Sequence, residues 1–102
     1  MRYEITSTEI FDKWLARLKD RQAVKAIVLR LARVEAGSLG DVKPVGGPIR
    51  EMRIFVGKGY RIYFIIQRER VFTLLCGGAK SSKKQQQQDI RQAKRILDEL
   101  ED

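Results

Sequence analysis

Histidine is absent from the 102 residues of this chain, and cysteine occurs once, at Cys76. Without histidine, serine–histidine nucleophile pairs, histidine acid–base chemistry and histidine-ligated metals are excluded. A single cysteine cannot form an internal disulfide, and the sequence contains no cluster of metal-ligating residues. We therefore expect no metal and no cofactor.

Long hydrophobic runs are also absent. No apolar stretch approaches the ~18 residues that a transmembrane helix needs, and none follows the first four residues as a signal peptide would require. The length suits one domain spanning residues 1–102. We expect a cytoplasmic protein with no membrane partner.

Acidic residues are scarce in one part of the chain. The sequence has 21 Lys and Arg against 13 Asp and Glu, a net charge of +8. Residues 43–84 contain ten of the basic residues and only two of the acidic ones, so this segment carries the whole excess. A concentrated positive field of this kind suits a polyanion such as nucleic acid, although basic residues also serve solubility alone.

The N-terminal third is helical in pattern. A short strand at 3–5 precedes Thr6-x-x-Glu9, which is typical of a capping box that begins a helix. Asp20 is positioned to cap a second helix, which Gly37 ends. The short connection predicts an antiparallel helical hairpin.

The rest of the chain alternates apolar and polar residues with period two, then becomes helical again after Ser81 and Ser82. The predicted order is β-α-α-β-β-β-β-α, an α+β domain with a small, mostly antiparallel sheet and a C-terminal helix. One sheet face is expected to bury Met52, Ile54, Ile62, Phe64, Leu74 and Cys76. The opposite face is expected to carry Arg53, Arg61 and Tyr63.

Loop positions predict the register of this sheet. A three-residue loop at 57–59 pairs Ile54 with Ile62, and a loop at 68–70 pairs Cys76 with Ile62. Both pairings keep apolar residues together, so Cys76 is expected to be a core thiol rather than a nucleophile.

The polar face of the predicted sheet is strongly basic. Arg53 is expected opposite Tyr63 and diagonal to Arg61, with Lys58 at the loop tip and Lys80 where the last strand ends. Like charges this close are unfavourable unless an anion lies between them, which indicates a phosphate site. Two other interpretations stay open: surface arginines that protect the sheet, or pairing of Arg53 with carboxylates of a helix above.

Such a site suits cleavage of RNA. The 2′-hydroxyl of RNA is an internal nucleophile, so the protein needs only to align it, stabilise the extra charge at phosphorus and move protons. Arginine stabilises that charge through its forked donors, and a lysine crowded by other cations can transfer protons. DNA lacks the 2′-hydroxyl and would not be cut.

Five ordered motifs resemble the HigB-like "addiction module killer protein" branch of the RelE/ParE toxin superfamily. They lie at 11–15, 39–46, 49–54, 59–64 and 75–82. The resemblance implies the RelE-like toxin fold and a toxin of a type II toxin–antitoxin module that cuts mRNA on the ribosome. The implied partners are the ribosome, its mRNA and a cognate antitoxin, often a helix-turn-helix DNA-binding protein.

The resemblance also implies site residues. Arg61 matches the strand arginine that lies at the scissile phosphate, Lys80 matches a basic position at the end of the last strand, and Arg53 matches the arginine of the preceding strand. These three are the expected catalytic residues. The expected RNA- and phosphate-binding residues are Lys43, Lys58, Tyr63, Lys83 and Lys84.

The chain departs from the family pattern at the start of the last helix. Relatives carry tyrosine, histidine or aspartate there, whereas residues 83–86 read Lys-Lys-Gln-Gln, so no general acid or base is assigned. Asp89 is expected to be structural. The alternative function is a ParE-like gyrase-poisoning toxin or a non-catalytic nucleic-acid- or protein-binding module of the same fold.

Overall fold

The computed structural model describes residues 2–101, which form three helices and five strands. In chain order these are β1 (Glu4–Ser7), α1 (Glu9–Arg17), α2 (Arg21–Glu35), β2 (Val42–Gly46), β3 (Ile49–Ile54), β4 (Tyr60–Gln67), β5 (Val71–Ala79) and α3 (Lys83–Glu101). This is the element order that the sequence predicts, and it confirms the α+β class. Among the described residues, no helix is both long enough and apolar enough to cross a membrane.

The five strands form a single sheet in the order β1-β5-β4-β3-β2. β1 runs parallel to β5, and the other neighbours are antiparallel. The sheet is therefore mostly antiparallel, as predicted. β4 lies at its centre.

Both faces of the sheet are buried, whereas the alternation of the sequence predicted only one buried face. The first face packs under α1 and α2 and includes Met52, Ile54, Ile62, Phe64 and Leu74, as predicted. The second face forms a separate apolar cluster with the apolar side of α3. Tyr63 and Cys76 belong to this second cluster, so the prediction that Cys76 shares the face of Ile62 is wrong.

The loop between β3 and β4 is longer than predicted, and this shifts their register by two residues. Ile54 pairs with Tyr60, not with Ile62, and the loop spans residues 55–59. Gly57 lies against Asp20, where a Cβ would come within 2.7 Å of the carboxylate, and Gly57 and Gly59 both have positive φ. The loop is thus held toward the α1–α2 connection instead of closing tightly. A two-residue shift leaves every side chain on its predicted face.

A bulge in β5 explains the position of Cys76. Phe64 pairs with Leu74, as the predicted register requires, but Tyr63 pairs with Cys76, so Leu75 is an extra residue. The bulge places Cys76 on the α3 side together with Leu75, which alternation already puts there. Sequence alternation alone does not reveal a bulge.

The helix caps agree with the sequence at α2 but not at α1. Asp20 accepts a hydrogen bond from the Ala23 amide and caps α2. Thr8, not Thr6, caps α1, because the chain remains extended in β1 up to Ser7. α1 packs mainly against β5, and α2 against β1 and β3. The predicted antiparallel hairpin of the two helices is not confirmed.

Candidate functional site

Two arginines lie directly opposite each other on the sheet face that α3 covers. Arg53 on β3 and Arg61 on β4 are cross-strand partners, and Gly78 of β5 continues the row beyond Arg61. The adjacent row on the same face contains Glu51 opposite Tyr63. The register shift brings the two arginines closer together than the sequence predicts and places Glu51, not Arg53, opposite Tyr63.

Each arginine has its own carboxylate. The guanidinium of Arg53 donates two hydrogen bonds to Asp41, of 3.1 and 3.2 Å. The Nε of Arg61 lies 3.5 Å from Oε2 of Glu51, a distance that permits Coulombic attraction without a well-formed hydrogen bond. The expected uncompensated pair of like charges is therefore compensated. Arg53 does pair with a carboxylate, but that carboxylate lies in the loop before β2 rather than in a helix.

The Glu51–Arg61 pair belongs to a buried polar cluster with unmet hydrogen-bonding capacity. Glu51 is fully buried, and its Oε2 accepts a 2.7 Å hydrogen bond from Gln86 of α3. Oε1 of Glu51, Nε of Arg61 and the hydroxyl of Tyr63 have no partner. Unpaired buried polar atoms are uncommon in folded proteins, and three in one cluster mark this part of the fold as a candidate functional site.

Tyr63 contributes to this cluster from the interior. The sequence predicts that Tyr63 contacts RNA, but the structure places the side chain fully under α3, where no surface is available to a ligand. Burial, with the nearby Glu51 carboxylate adding to it, raises the pKa of the Tyr63 hydroxyl. The phenol is therefore neutral at physiological pH.

Asp89 of α3 approaches the arginine row over Gly78. A Cβ at Gly78 would clash with Oδ2 of Asp89, so glycine at this position allows the carboxylate to pack against the strand. Burial raises the pKa of Asp89, while a hydrogen bond from Gln85 and the charge of Arg61 oppose the rise. Arg61 thus stands between two acidic side chains, one from the sheet and one from α3.

The predicted lysines all lie outside this cluster. Lys80 follows β5, and its amide donates to the Gly59 carbonyl, which joins it to the β3–β4 loop. Lys83 and Lys84 occupy the first turn of α3, and Lys43 lies on edge strand β2. Lys58 instead lines a groove on the α1–α2 side with Arg17 and Lys19. All five are exposed: Lys43, Lys58, Lys80, Lys83 and Lys84.

Two residues of the site escaped the sequence interpretation: Asp41, which pairs with Arg53, and Gln86, which donates a hydrogen bond to Glu51. Asp89 was expected to be structural, and its charge interacts with Arg61. Glu51 shares its parity with Arg53 on β3, so the sequence places it on the basic face, where it can neutralise one arginine but not the whole set. The wrong register, which paired Arg53 with Tyr63, hid its position opposite Tyr63 and beside Arg61.

The charged groups of this cluster are suited to two chemical tasks, phosphate binding and proton transfer. A guanidinium and nearby ammonium groups are suited to bind a phosphate and stabilise added charge on it. The carboxylate of Glu51, whose Oε1 has no partner and whose Oε2 lies 3.5 Å from Arg61, is suited to accept a proton.

Comparisons with known proteins agree with this fold. Two solved structures share it: the archaeal RelE–RelB complex from Pyrococcus horikoshii OT3 and the toxin–antitoxin complex RelBE2 from Mycobacterium tuberculosis. Each has a TM-score of 0.60 and 17% sequence identity; the matches cover 79% and 78% of this chain and 98% and 100% of the solved chains. The chain therefore has a RelE-like fold.

Sequence comparison identifies the family. A protein of Haemophilus influenzae described as an uncharacterized protein is 43% identical over 100 residues, which are 98% of each chain. The family model described as "Phage derived protein Gp49-like (DUF891)" matches residues 13–98. The chain therefore belongs to the Gp49-like, phage-derived protein family.

Proposed function

We propose that this protein is a HigB-like toxin of a type II toxin–antitoxin module and that it cleaves mRNA on the translating ribosome. The observation that carries the proposal is the position of Arg61. It lies on the central strand β4, beside the buried carboxylate of Glu51 and directly opposite Arg53. The RelE-like fold supports it, because both structural neighbours are toxin–antitoxin complexes.

The proposed reaction begins at the ribose. The 2′-oxygen attacks the adjacent phosphorus, the 2′-proton passes to Glu51, and the bond from phosphorus to the 5′-oxygen breaks. The leaving 5′-oxygen takes a proton from water, so the products are a 2′,3′-cyclic phosphate and a 5′-hydroxyl. Arg61 stabilises the charge that accumulates on the phosphoryl oxygens, with Arg53 and Lys80 beside it. Glu51 is the base because Oε1 is unpartnered and stays on the rigid sheet next to Arg61.

RNA reaches this site only after the first turns of α3 move. The Arg61 side chain is 13% exposed and Glu51 is not exposed at all. In α3, the buried side chains begin at Ile90, so residues 83–89 are attached to the sheet mainly through Gln86 and Asp89. Opening this polar half would uncover the cluster while the apolar half of α3 stays in place.

The proposed partner that controls this opening is a cognate antitoxin. Its acidic segment is expected to cover the exposed lysines around the site or to displace α3, because residues 43–84 carry the whole positive excess of the chain. The proposal retains the helix-turn-helix antitoxin and the ribosome as partners in the cell.

The test is cleavage of a reporter mRNA in a translating extract, read by primer extension. Simple truncation of Arg61 would leave Glu51 buried and unpaired, which destabilises proteins by about 3–5 kcal/mol. We therefore combine Arg61→Gln with Glu51→Gln, which removes both charges and keeps the acceptor for Gln86. The double variant is expected to cleave mRNA at least ~10²-fold more slowly than the wild type and to have the same melting temperature. The single variant Arg61→Lys is expected to retain part of the cleavage activity.

Lys25→Gln, an exposed change on α2, is the matched control and should cleave like the wild type. Cleavage that persists in the folded double variant would contradict the proposed site. A wild type that leaves mRNA intact while gyrase–DNA complexes accumulate would move the assignment to the ParE-like alternative.

A further inference from the structure

Phe55 is the one exposed aromatic among the large apolar residues that the described chain leaves at its surface. It begins the β3–β4 loop, and 67% of it is exposed. The other four large apolar residues at the surface are aliphatic: Ile10, Val28, Leu29 and Leu100. A phenyl ring in this position adds nothing to either apolar cluster of the fold.

Two cations flank the ring of Phe55. The guanidinium carbon of Arg53 lies 5.6 Å from the ring centroid, and Nζ of Lys80 lies 5.7 Å from it. These contacts leave two thirds of the residue open to solvent. The loop thus presents an aromatic surface with two basic side chains next to it: Arg53, which is paired with Asp41, and Lys80.

The flanking groups are held in place by the fold. Arg53 is fixed by its two hydrogen bonds to Asp41. The Lys80 backbone is tied to Gly59, and the Lys80 side chain passes 3.3 Å from where a Cβ of Gly59 would lie. Glycine at this loop position therefore gives Lys80 the space to reach toward Phe55.

An exposed aromatic ring with two cations 5.6 and 5.7 Å from its centre matches the chemistry of an unpaired nucleotide. Every nucleobase has a π-face that stacks on a phenyl ring, and the phosphate beside it pairs with guanidinium and ammonium groups. An acidic peptide would use the two cations but would leave the ring without a role. The charge of the segment favours the same class of ligand.

We propose that Phe55 is a stacking platform for one unpaired base of RNA, with Arg53 and Lys80 binding the phosphate next to that base. The inference rests on the proposed function for the identity of the RNA, since these two cations belong to the proposed cleavage site. It adds a base-binding subsite outside the cover of α3, where RNA can bind before α3 opens.

Binding of fluorescent ten-nucleotide oligoribonucleotides, measured by anisotropy at fixed salt, tests the inference. Phe55→Ala and Phe55→Leu are both expected to weaken binding about 10-fold or more, because leucine keeps the hydrophobic volume but has no π-face. Phe55→Trp is expected to retain affinity, and its fluorescence should be quenched on binding. Leu29→Ala, which removes an exposed apolar side chain on α2, is the control and should bind like the wild type.

An abasic oligoribonucleotide separates stacking from phosphate binding. The difference between wild type and Phe55→Ala should disappear with this probe, because no base remains to stack. Equal affinity of wild type and Phe55→Leu for the ordinary oligomer would overturn the inference. So would loss of antitoxin binding in Phe55→Ala with unchanged RNA affinity, which would indicate a protein contact instead.

Cleavage of mRNA in the translating extract is measured in parallel. Unchanged RNA binding by Phe55→Ala, together with mRNA cleavage by the wild type, would overturn the stacking subsite and leave the proposed function intact. Base-dependent binding through Phe55 in a protein that cuts no mRNA would support the subsite and overturn the proposed function.

Discussion

At the scale of single residues, the charges under α3 depend on one another. Arg61 has Glu51 beside it on the sheet and Asp89 above it on α3, and Gln86 and Gln85 donate hydrogen bonds to those two carboxylates. Removing one member of a buried charged pair costs more than removing both, because the remaining charge stays desolvated. Substitutions here are therefore informative only when the residual charge is accounted for.

Asp89 offers a prediction about pH. Burial raises the pKa of Asp89 in the folded protein, so the folded protein binds the carboxyl proton more tightly than the unfolded chain does. The contribution of Asp89 to stability is fully present below the unfolded pKa, ~3.9, and is lost as the pH rises through the folded pKa. At pH 7 the carboxylate is consequently a net cost.

Asp89→Asn is expected to stabilise the protein at pH 7 by on the order of 0.5 kcal/mol, a small value because part of the carboxylate still contacts water. The amide oxygen can still accept the hydrogen bond from Gln85. The gain should shrink toward zero below about pH 4, as urea unfolding across pH would show. Asp98→Asn, an exposed change on the same helix, is the control; a gain at pH 7 that persists at low pH would contradict the assignment.

At the scale of elements, α3 has two unlike halves. Its second half buries Ile90, Ala93, Ile96 and Leu97 against the sheet. Its first half has no fully buried side chain and begins with Lys83 and Lys84, whose charges oppose the helix dipole. The first half is therefore the weaker part of the helix.

Cys76 can report the opening of this weaker half. The thiol is buried under α3, its Sγ contacts the Asp89 carbonyl at 3.8 Å, and burial raises its pKa to about 12. Native protein at pH 8 is expected to react slowly with a thiol reagent, and Gln86→Ala to react severalfold faster because the hydrogen bond to Glu51 is lost.

Gln88→Ala, a change at an exposed position two residues further along α3, should label like the wild type. Equal labelling rates for all three proteins would show that Gln86 does not hold the first turns in place. As the chain has one cysteine, each rate reports this position alone.

The elements and their faces could be predicted because they follow local rules. Alternation places Ile62 and Phe64 on one face of the sheet and Arg61 on the other. Asp20 precedes α2 and caps it, because its side-chain oxygen accepts a hydrogen bond from the Ala23 amide. The register could not be predicted, because it depends on Gly57 packing against Asp20 from a distant part of the chain. The bulge at Leu75 depends likewise on the apolar face of α3.

The same limit applied to the candidate site. The sequence correctly brought Arg53 and Arg61 to one face with Glu51, but it did not pair Arg53 with Asp41 or place Asp89 near Arg61, because these two carboxylates come from other parts of the chain. Tyr63 was predicted at the surface because nothing local indicates that α3 buries a second sheet face.

At the scale of the whole molecule, the positive excess is presented by exposed lysines around a closed, charge-compensated centre. Arg53 and Arg61 are neutralised within the fold, whereas no ion pair within residues 2–101 involves Lys58, Lys80 or Lys83. In the proposed function, the exposed lysines and Phe55 make the first contact with RNA, and the Glu51–Arg61 pair becomes available when α3 opens. The proposed cleavage depends on the 2′-hydroxyl, because Arg61 and Glu51 are assigned to the phosphate and to the proton and neither is assigned as a nucleophile.

The most direct test of this account is the dependence of cleavage on that hydroxyl. An mRNA is held on stalled ribosomes, its cut site is mapped by primer extension, and a second mRNA carries one 2′-deoxynucleotide on the 5′ side of the scissile phosphate. The account predicts that the protein cuts the first mRNA at this position and leaves the second intact there. Comparable cleavage of the deoxy-substituted mRNA, or no cleavage of the unmodified one, would contradict it.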